Sequence, residues 1–512
     1  MKKNYPYYEC EKINNLKQLL DNSIKKGNEI AFFYTDKNKK IINKTYNDYY
    51  NDVTNLSNYL YKKYKNTHIA IISENSYEYL VLYLAIILSN NIAVLIDKDY
   101  SEEKIKELLK ISNTKIIFHS EYCNIEKGNK IQEIYNYIEE GKNNLKKDEI
   151  DENKCATIFF TSGTVGANKA VMLSQKNIAN NIYASSSLFK LEGTVLSCLP
   201  YHHAFGLITS VLAPFYYHYP VYINSSLKYL MKDMKISKPQ TLFLVPAFAI
   251  QFYKKIWIQA RRKKVNYLLR AVIRTSNGLK HLGIDVRRKM FKTVLDEFGG
   301  NIEYIICGGA HLPTKYVKWF RSLGIEILNG YGITECSPVV AVNRNKYHKD
   351  GSVGNIIKDG IVRIDNNEIT VKSDSVMLGY YNDKKSTEEV IKDGWFYTGD
   401  LGYIDNDGFL YITGRKKNLI ILSNGENVSP EEIEEKLNND PGVCESIIFS
   451  KGDKLIAAIY PNDEYIGNQE YFDNLIYNYN KNTPKNRQIA FVILRDNEFP
   501  KNNNNKIVRS KI

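Results

Sequence analysis

Short apolar runs and longer amphipathic stretches alternate between residues 66 and 118. The runs "HIAIIS" and "IAVLID" predict buried strands, and "TKIIF" predicts a third. Between them, "SYEYLVLYLAIIL" predicts a buried helix and "SEEKIKELLKIS" predicts an amphipathic one. Because strands and helices take turns along the chain, we expect a mostly parallel sheet that is covered by helices.

The pattern of apolar runs continues and then changes. Further strand-like runs lie at 157–160, 195–199, 242–245, 304–307 and 325–328, with helical stretches between them. After about residue 350 the strands become short and are separated by turns such as Asn406-Asp407-Gly408, which predicts a small antiparallel sheet. Past Gly414 the pattern predicts a compact α+β unit.

These patterns predict an α/β protein with two domains. We expect a large N-terminal domain, residues 1–414, of helix-covered and mostly parallel sheets plus a small β-barrel-like sheet. A small mobile α+β domain, residues 415–512, follows. Its clearest helix is "SPEEIEEKLNN", where Ser429 is the expected N-cap, Pro430 the first helical residue and Glu432 the partner in a capping box.

The composition is that of a globular protein. Of 512 residues, 43% are hydrophobic and 25% are charged, so more than one folded domain is expected. The seven cysteines include no CxxC pair, which favours a reducing compartment over a disulfide framework or a zinc site. The N-terminal residues have no apolar signal-peptide core, and Ser89-Asn90-Asn91 interrupts the most apolar stretch, so we expect a cytoplasmic protein.

The positive charge is concentrated in one segment. Thirteen Lys and Arg residues lie between positions 254 and 292 against one acid, Asp285, so this segment carries +12 of the net +13. Apolar and small residues follow helical spacing there, at Val265, Leu268, Leu269, Val272, Ser276 and Leu279. Such a basic amphipathic segment suits a peripheral contact with an anionic membrane, an acidic protein or the phosphates of a ligand, or it is an ordinary solvated helix. No nucleic-acid recognition motif accompanies it, so we expect no nucleic-acid partner.

The stretch "TIFFTSGTVGANKAVMLSQKNI", residues 157–178, contains a loop rich in small and hydroxyl residues. The two glycines let backbone N–H groups approach an anion, the hydroxyls add donors and the lysine adds a positive charge. The residues concerned are Thr161, Ser162, Gly163, Thr164, Gly166 and Lys169. This composition predicts a phosphate-binding loop at a strand-to-helix turn, with a plain surface turn as the alternative. The spacing does not fit a Walker A motif.

Three later stretches follow the loop in a fixed order. They are "NGYGITECSP" (329–338), "DGWFYTGDLGYIDNDGFLYITGRKKN" (393–418) and "PKNNNNKIVR" (500–509). Together with the loop they resemble the adenylate-forming superfamily, in particular bacterial long-chain fatty acyl-CoA synthetases and acyl-carrier-protein ligases. The resemblance extends over nearly the whole chain, to "HHAFG" (202–206), "CGGA" (307–310) and "GYYNDKKST" (379–387).

The resemblance implies an ATP-dependent ligase that works in two steps. The carboxylate of a small organic acid attacks the α-phosphate of ATP, which gives an acyl-AMP and releases pyrophosphate. A thiol then displaces AMP, and the thiol belongs to CoA or to the phosphopantetheine of an acyl carrier protein. Because two anions must meet, catalysis consists of positioning and neutralising charge.

The resemblance also assigns residues to the nucleotide. The loop residues above hold the β- and γ-phosphates. Asp400 clamps the ribose hydroxyls, since one carboxylate can accept two hydrogen bonds, and Arg415 reaches the same ribose. Tyr331 stacks on adenine. The other residues implied at the nucleotide are Gly308, Gly309, Ala310, Asn329, Gly330 and Gly332.

The implied catalytic residues lie in two regions. Thr334 donates to the α-phosphate, and Glu335 is the expected Mg²⁺ ligand, since Mg²⁺ prefers carboxylate oxygens. Lys506, at the seventh position of the segment that starts with Pro500-Lys501, bridges the carboxylate and the α-phosphate.

Three further residues are implied in domain motion and in the acyl and thiol sites. Lys417 falls at the hinge about which the small domain turns between two poses. Gly425 lines the pantetheine tunnel, and His203 is a gate beside the acyl pocket or a satisfied core histidine.

The residues around His203 bear on the identity of the acid. Amino-acid-activating relatives place an aspartate in the segment that matches "LPYHHAFGLI", and this chain has no acid there. We therefore expect a fatty or other non-amino carboxylic acid. The sequence identifies neither the particular acid nor whether the accepting thiol belongs to CoA or to a carrier protein.

The loop and the C-terminal motif depart from the family pattern. Val165, Asn168 and Ala170 replace the usual Thr, Pro and Gly in the loop, and Asn502 and Asn505 replace Thr and Gly near the C-terminus. An active enzyme is expected, with a non-catalytic nucleotide- and acyl-binding relative as the alternative.

Overall fold

Two large sheets with helices on their faces form most of the molecule. The computed structural model describes residues 5–125, 127–142, 149–162, 168–422, 427–452, 454–501 and 507–509, with only the backbone described for Ser162 and Asn486. The mostly parallel, helix-covered sheets expected from the sequence are confirmed.

The first sheet has nine strands and is parallel through its centre. Its strands are β1 (Ile30–Thr35), β2 (Ile41–Thr45), β9 (Val195–Ser197), β10 (Val221–Ile223), β11 (Thr241–Leu244), β12 (Tyr304–Cys307), β13 (Glu326–Gly332), β14 (Val339–Val342) and β15 (Asn355–Ile356). The order across the sheet is β15-β14-β13-β12-β11-β9-β10-β1-β2, and the strands from β13 to β1 run parallel. The carboxyl ends of β12 and β13 therefore meet at one edge.

The second sheet has seven strands. They are β3 (His68–Ile72), β4 (Ile92–Leu95), β5 (Ile116–His119), β6 (Asn129–Lys130), β7 (Cys155–Ser162), β8 (Asn168–Ser174) and β18 (Gly379–Tyr380), in the order β18-β8-β7-β4-β3-β5-β6. The strands from β7 to β6 are parallel, whereas β8 and β18 are antiparallel additions at one side.

The helices of the N-terminal part pack on the faces of these sheets. They are α1 (Leu16–Ser23), α2 (Tyr46–Lys63), α3 (Tyr77–Leu88), α4 (Glu102–Ile111), α5 (Ile134–Glu140), α6 (Gln175–Ser186), α7 (Ala213–Tyr216), α8 (Leu230–Ser237), α9 (Pro246–Arg262), α10 (Asn266–His281), α11 (Arg287–Met290), α12 (Lys292–Glu297), α13 (Thr314–Ser322) and α14 (Lys384–Val390). A π-helix, Phe205–Leu212, leads directly into α7. The expected helix α3 is almost wholly buried, and the side chain of Ser76 caps it by accepting from Tyr79 N.

A third sheet is antiparallel and links the N-terminal part to the C-terminal unit. It contains β16 (Ile361–Asp365), β17 (Glu368–Lys372), β19 (Ile391–Lys392), β20 (Trp395–Ile404) and β21 (Leu410–Arg415). The tight turn between β20 and β21 contains Gly408 at φ +84°, at the Asn406-Asp407-Gly408 sequence that predicted it. The change to short antiparallel strands after residue 350 is therefore confirmed.

The C-terminal unit has its own apolar core, in which Val428, Leu437, Val443 and Ile459 are buried. It contains β22 (Ile420–Ile421), β23 (Asn427–Val428), α15 (Pro430–Asn438), β24 (Val443–Lys451), β25 (Lys454–Pro461), α16 (Gln469–Lys481) and β26 (Ile489–Leu494). The boundary between residues 414 and 415 stays a prediction.

The capping box predicted for α15 does not form. The helix begins at Pro430 with Ser429 as N-cap, but the Ser429 hydroxyl makes no capping hydrogen bond and donates instead to Thr413 O at 2.6 Å. Glu432 pairs with Arg487 at 3.0 Å. Both side chains therefore contact residues outside the helix instead of capping its N-terminus.

The predicted strand-to-helix position of the phosphate loop is also wrong. Residues 163–167 connect two antiparallel strands, since β7 and β8 pair with Thr161 opposite Lys169. The apolar run that follows Lys169 continues as the strand β8. The helix α6 begins only at Gln175, where the Ser174 side chain accepts from Asn177 N in a capping box.

The basic segment 254–292 folds into successive helices, among them the end of α9 and all of α10. The helical spacing expected from Leu268 to Leu279 is confirmed, and Val265 lies just before the first residue of α10. Among the helices that the structure describes, none combines the length and the apolar character needed to cross a lipid bilayer.

Candidate functional site

A buried carboxylate, Asp400, has two donors fixed on it. It lies in β20 directly opposite Arg415 of β21, and the Arg415 Nε atom is 2.8 Å from its Oδ1. The Tyr331 hydroxyl donates to Oδ2 at 2.7 Å. The Asp400 side chain is only 4% exposed, yet each of its oxygens keeps a second lone pair for a ligand. Burial and the Asp400 charge raise the pKa of Tyr331 well above its usual value, so Tyr331 remains a donor.

The backbone around Asp400 is held by neighbouring side chains. Gly399 has φ +72°, and its N–H donates to Glu368 at 2.9 Å. Lys416 pairs with the other oxygen of Glu368 at 2.8 Å. Asp400 N donates to Thr398 Oγ1 at 3.0 Å. These contacts fix the direction of the carboxylate before any ligand binds.

A second carboxylate, Glu335, lies in a short turn (Thr334–Cys336) just after β13. The Tyr380 hydroxyl donates to Glu335 Oε1 at 3.0 Å, and the Lys169 ammonium lies 4.4 Å from the centre of the Tyr380 ring. Burial raises the pKa of the Glu335 carboxyl, while Tyr380, Lys169 and Arg415 act to lower it. An acidic side chain and two cations therefore lie close together here.

The structure describes only some of the residues predicted to form the phosphate loop. Thr161 and Lys169 are half-buried and face each other across β7 and β8. Gly163, Thr164 and Gly166, together with the side chain of Ser162, lie outside the described residues. Lys169 is thus brought to Glu335 and Tyr380, whereas the arrangement of the loop itself stays a prediction.

An apolar cavity opens beside Tyr331, within about 690 Å³ of empty space that includes open solvent. Its walls come from α6, the π-helix, α7, β11, β12, β13 and β14. The lining residues are Ser185, Ser186, Phe189, Leu191, Phe205, Thr209, Ala213, Tyr217, Phe243, Ile306, Cys307, Gly308, Gly309, Gly330, Tyr331, Gly332, Pro338, Val339, Ala341 and Val342. None of these described residues carries a charge. The uncharged and mostly apolar lining is that of a small-molecule site.

Glycines form the wall nearest to Tyr331. Gly308 and Gly309 follow β12, while Gly330 and Gly332 belong to the adjacent end of β13. A Cβ atom on Gly308 would lie 3.1 Å from the Phe205 ring, so a larger residue there would press on that ring. The missing side chains keep the passage between the cavity and Tyr331 open.

The remaining predicted residues lie at different distances from this centre. Asn329 precedes Gly330 in β13, Thr334 is half-buried beside Glu335, and Ala310 is exposed just past Gly309. Burial lowers the pKa of Lys417, and its neighbour Arg415 acts in the same direction.

Of the other three predicted residues, the structure describes His203. The His203 ring lies 4.3 Å from that of His202 and is not among the cavity-lining residues described, although Phe205 from the same segment is. Lys506 and Gly425 lie outside the described residues.

Sequence reasoning missed the role of Tyr380 and the walls of the cavity. Tyr380 was visible only as part of "GYYNDKKST", with nothing to indicate a contact with Glu335 45 positions away. Phe243 and Tyr217 are ordinary apolar or aromatic residues within their elements, and no local pattern separates a cavity wall from a core.

The chain belongs to the AMP-binding enzyme family. The family model matches residues 21–381, and a second model, the AMP-binding enzyme C-terminal domain, matches residues 417–512. The resemblance that the sequence motifs indicated is thereby confirmed.

Individual curated relatives share about a third of their residues with this chain over the aligned region. The long-chain-fatty-acid–CoA ligase FadD15 of Mycobacterium bovis is 31% identical over 329 residues, which are 60% of this chain and 54% of that protein. The 2-succinylbenzoate–CoA ligase of Bacillus cereus is 31% identical over 326 residues, 60% of this chain and 59% of that protein. The chain thus spans little more than half the length of the curated relatives it matches.

Solved structures share the whole fold. The anthranilate CoA ligase AuaEII in complex with anthranoyl-AMP superposes with a TM-score of 0.79 at 16% identity, over 99% of this chain and 97% of that one. The o-succinylbenzoate CoA synthetase of Bacillus subtilis, bound to its acyl-adenylate, gives 0.71 at 22% identity, over 96% and 97%. At these identities the likeness establishes the fold.

One substitution tests the predicted role of Asp400 in holding the ribose of the nucleotide. We expect Asp400→Asn to weaken AMP binding by about 1.5–3 kcal/mol, roughly tenfold or more, because an amide accepts through one oxygen only and loses the charge that holds Arg415. Isothermal titration calorimetry with AMP measures the change. Asp365→Asn, a carboxylate of the same antiparallel sheet that pairs with Tyr397, is the matched control. Equal affinity in the two variants would show that Asp400 does not hold the nucleotide.

Proposed function

We propose that this protein uses ATP to activate an apolar monocarboxylic acid as its acyl-AMP and then transfers the acyl group to the thiol of CoA. The observation that carries the proposal is the meeting of two unlike environments at Tyr331. On one side lie Asp400, Arg415 and Glu335, and on the other lies an uncharged cavity. A nucleotide and an apolar acid that react with each other need such neighbouring sites.

The first step joins the two substrates. A carboxylate oxygen of the acid attacks the α-phosphorus of ATP, the bond to the pyrophosphate oxygen breaks, and pyrophosphate leaves with its charge. Asp400 holds the ribose, Tyr331 and the adjacent glycines bind the adenine, and Thr334 donates to the α-phosphate. Lys169 and Arg415 supply positive charge near the phosphates, which reduces the repulsion between the anions. In the second step the thiol gives up its proton to solvent and its sulfur attacks the acyl carbonyl carbon, the bond from that carbon to the phosphate oxygen breaks, and AMP leaves.

The residues present fit a magnesium ion that accompanies ATP. The half-buried Glu335 carboxylate offers the oxygen donor that Mg²⁺ prefers, and the Tyr380 hydroxyl orients it. Bound there, the ion would neutralise phosphate charge on ATP. Lys169 lies close enough to Glu335 to share that task.

The cavity lining narrows the class of acid. An ammonium group or a second carboxylate in the substrate would lose its hydration inside the cavity, and the described lining residues offer no counter-charge. This argues against amino acids and dicarboxylic acids and favours fatty acids or uncharged aromatic acids. Transfer to the phosphopantetheine of an acyl carrier protein is the alternative for the second step.

Carboxylate-dependent exchange of labelled pyrophosphate into ATP tests the first step. We expect exchange with one or more straight-chain or uncharged aromatic acids, and little with amino or dicarboxylic acids of matched size. Product analysis with CoA and with a phosphopantetheinylated carrier protein then identifies the acceptor. ATP binding without exchange across the whole panel would indicate the non-catalytic relative instead.

Lys506 gives a sharper test of the two steps. If its ammonium bridges the carboxylate and the α-phosphate, Lys506→Ala abolishes exchange but leaves thioester formation from supplied acyl-AMP nearly unchanged. Lys501→Ala, in the same motif, is the control, since the Lys501 ammonium is already paired with Glu445 at 2.6 Å. Equal loss of both half-reactions in Lys506→Ala would rule out the assigned role.

The basic segment 254–292 supports a second part of the proposal, a peripheral contact between this otherwise cytoplasmic protein and an anionic membrane. Tyr267, Leu268 and Leu282 are 78%, 62% and 77% exposed, although large apolar side chains usually avoid water. Ala271 and Gly278 are exposed at helical spacing between them. Lys and Arg side chains flank this apolar stripe, which is the composition of a helix that lies in a lipid interface.

Flotation with lipid vesicles tests the membrane contact. We expect the full-length protein to float with vesicles that contain phosphatidylglycerol, to stay behind with phosphatidylcholine alone, and to detach at high salt. Replacing Tyr267, Leu268 and Leu282 by Ser should abolish flotation, whereas Tyr122→Ser, at a side chain that is 61% exposed elsewhere, should not. Failure to float, or binding to an acidic carrier protein instead, would refute the membrane contact.

A further inference from the structure

Some lining residues of the apolar cavity come from elements that carry none of the predicted nucleotide residues. Gly308, Gly330 and Tyr331 line the end nearest to Asp400. Along the π-helix and α7, lining residues recur every four positions from Phe205, which faces Gly308, to Tyr217. A second group of lining residues comes from the last turn of α6 and the residues after it, and from α7 with the residue that ends it. These residues are Ser185, Ser186, Phe189, Leu191, Ala213 and Tyr217.

Tyr217, in this second group, is held rigidly. Its hydroxyl lies within hydrogen-bond distance of Ser186 O and donates to Phe189 O at 2.8 Å. Its backbone N–H donates to Ala213 O at 3.1 Å, so Tyr217 and Ala213 lie on the same face one helical turn apart. Burial raises the pKa of Tyr217, which therefore stays a neutral donor. A ring tied to the backbone in this way cannot swing aside at low cost.

An N-terminal strap, defined here as residues 5–13, crosses the same region from outside. Tyr8 N donates to Ser187 O at 2.8 Å, and the Tyr216 hydroxyl donates to Glu11 O at 2.6 Å. The Cys10 sulfur lies 4.0 Å from the Tyr217 hydroxyl oxygen. The strap thus covers the turn after α6 and contacts the polar end of the Tyr217 side chain.

A buried arginine fixes the strap in place. The Arg344 residue is only 2% exposed, and its guanidinium donates to Leu188 O at 3.2 Å and to Pro6 O of the strap. It also lies 5.6 Å from the ring centre of Tyr8 and 5.4 Å from that of Tyr347. A guanidinium taken out of water is stabilised only while these acceptors and rings surround it, so Arg344 ties the strap to the turn that holds Tyr217.

We propose that Tyr217, locked to the turn after α6 and covered by the strap, is the end wall of the acyl cavity and sets the longest acid that the protein accepts. This inference rests on the proposed function, because it takes the cavity to hold the acyl group of the substrate. Tyr217 is the last lining residue in the series that starts at Phe205 beside Gly308, so a chain that follows this series away from Tyr331 meets the Tyr217 ring last.

Substitutions at Tyr217 test the proposal by chain length. Straight-chain acids of increasing length are compared by the exchange assay, and the matching acyl sulfamoyl adenosines are compared by calorimetric binding. Tyr217→Ala should shift the preferred chain to a longer one, with a roughly tenfold or larger change in the ratio of kcat/KM for long against short acids. Tyr217→Phe keeps the ring and should keep the wild-type length preference.

Two further variants distinguish a specific effect on chain length from a general loss of structure. Tyr219→Ala removes a ring that lies 6.2 Å from that of Tyr217 but does not line the described cavity, so it should leave the length profile unchanged. Ala213→Leu, on the same face as Tyr217, should shift the preference to shorter chains, and it remains informative if Tyr217→Ala does not fold.

The outcomes separate this inference from the proposed function. Wild-type activity together with an unchanged length profile in both Tyr217→Ala and Ala213→Leu would overturn the end-wall role and leave the proposed function standing. Absence of exchange, combined with a shifted binding profile for the acyl sulfamoyl adenosines, would reject catalysis and support the end wall. A profile that shifts equally in Tyr219→Ala would also overturn the assignment of Tyr217.

Discussion

The hydrogen bond from Tyr331 to Asp400 joins the two halves of the site. The Asp400 carboxylate is buried, and such a group is tolerated only when donors surround it. Tyr331 and Arg415 are those donors, and they come from different sheets. Because Tyr331 also lines the apolar cavity, this one contact fixes the position of Asp400, the proposed ribose ligand, relative to the cavity.

The contrast between the two sides gives the site its chemistry. Glu335, Lys169 and Arg415 concentrate charge near the expected phosphates, where electrostatic interactions gain strength from partial burial. The described lining of the cavity carries no charge, so an apolar group can enter without forcing a charged lining residue to lose its hydration. Among the described residues, both environments meet at the glycine-bordered passage at Gly308 and Tyr331. The proposed reaction, which joins an apolar acid to a nucleotide, would take place at that passage.

Much of the fold followed from local patterns, and the exceptions have physical causes. Helix α3 and strand β4 were visible because their apolar runs have the length and periodicity of single elements. The strand β8, which carries Lys169, was not predicted. Its apolar run is short, and the sequence pattern therefore indicated that the loop leads directly into a helix. The Ser429 cap failed because Thr413, sixteen positions away, offers a better partner, and no local pattern reports such competition.

The candidate site was predictable where motifs mark it and not where the fold assembles it. Asp400, Tyr331 and Glu335 lie in stretches whose residue types suggest chemistry, and the structure brings them together. Tyr380 contacts Glu335, which is distant in sequence, and Tyr217 is held by backbone carbonyls, so these contacts appear only in three dimensions.

The central claim is that nucleotide and acyl group meet at Tyr331 with the acyl group directed into the uncharged cavity. A crystal structure of the full-length protein with a straight-chain acyl sulfamoyl adenosine tests it directly. The account predicts the ribose hydroxyls on Asp400 and the chain running past Gly308 toward Tyr217. A chain that leaves the cavity empty, or a ribose held away from Asp400, would contradict it.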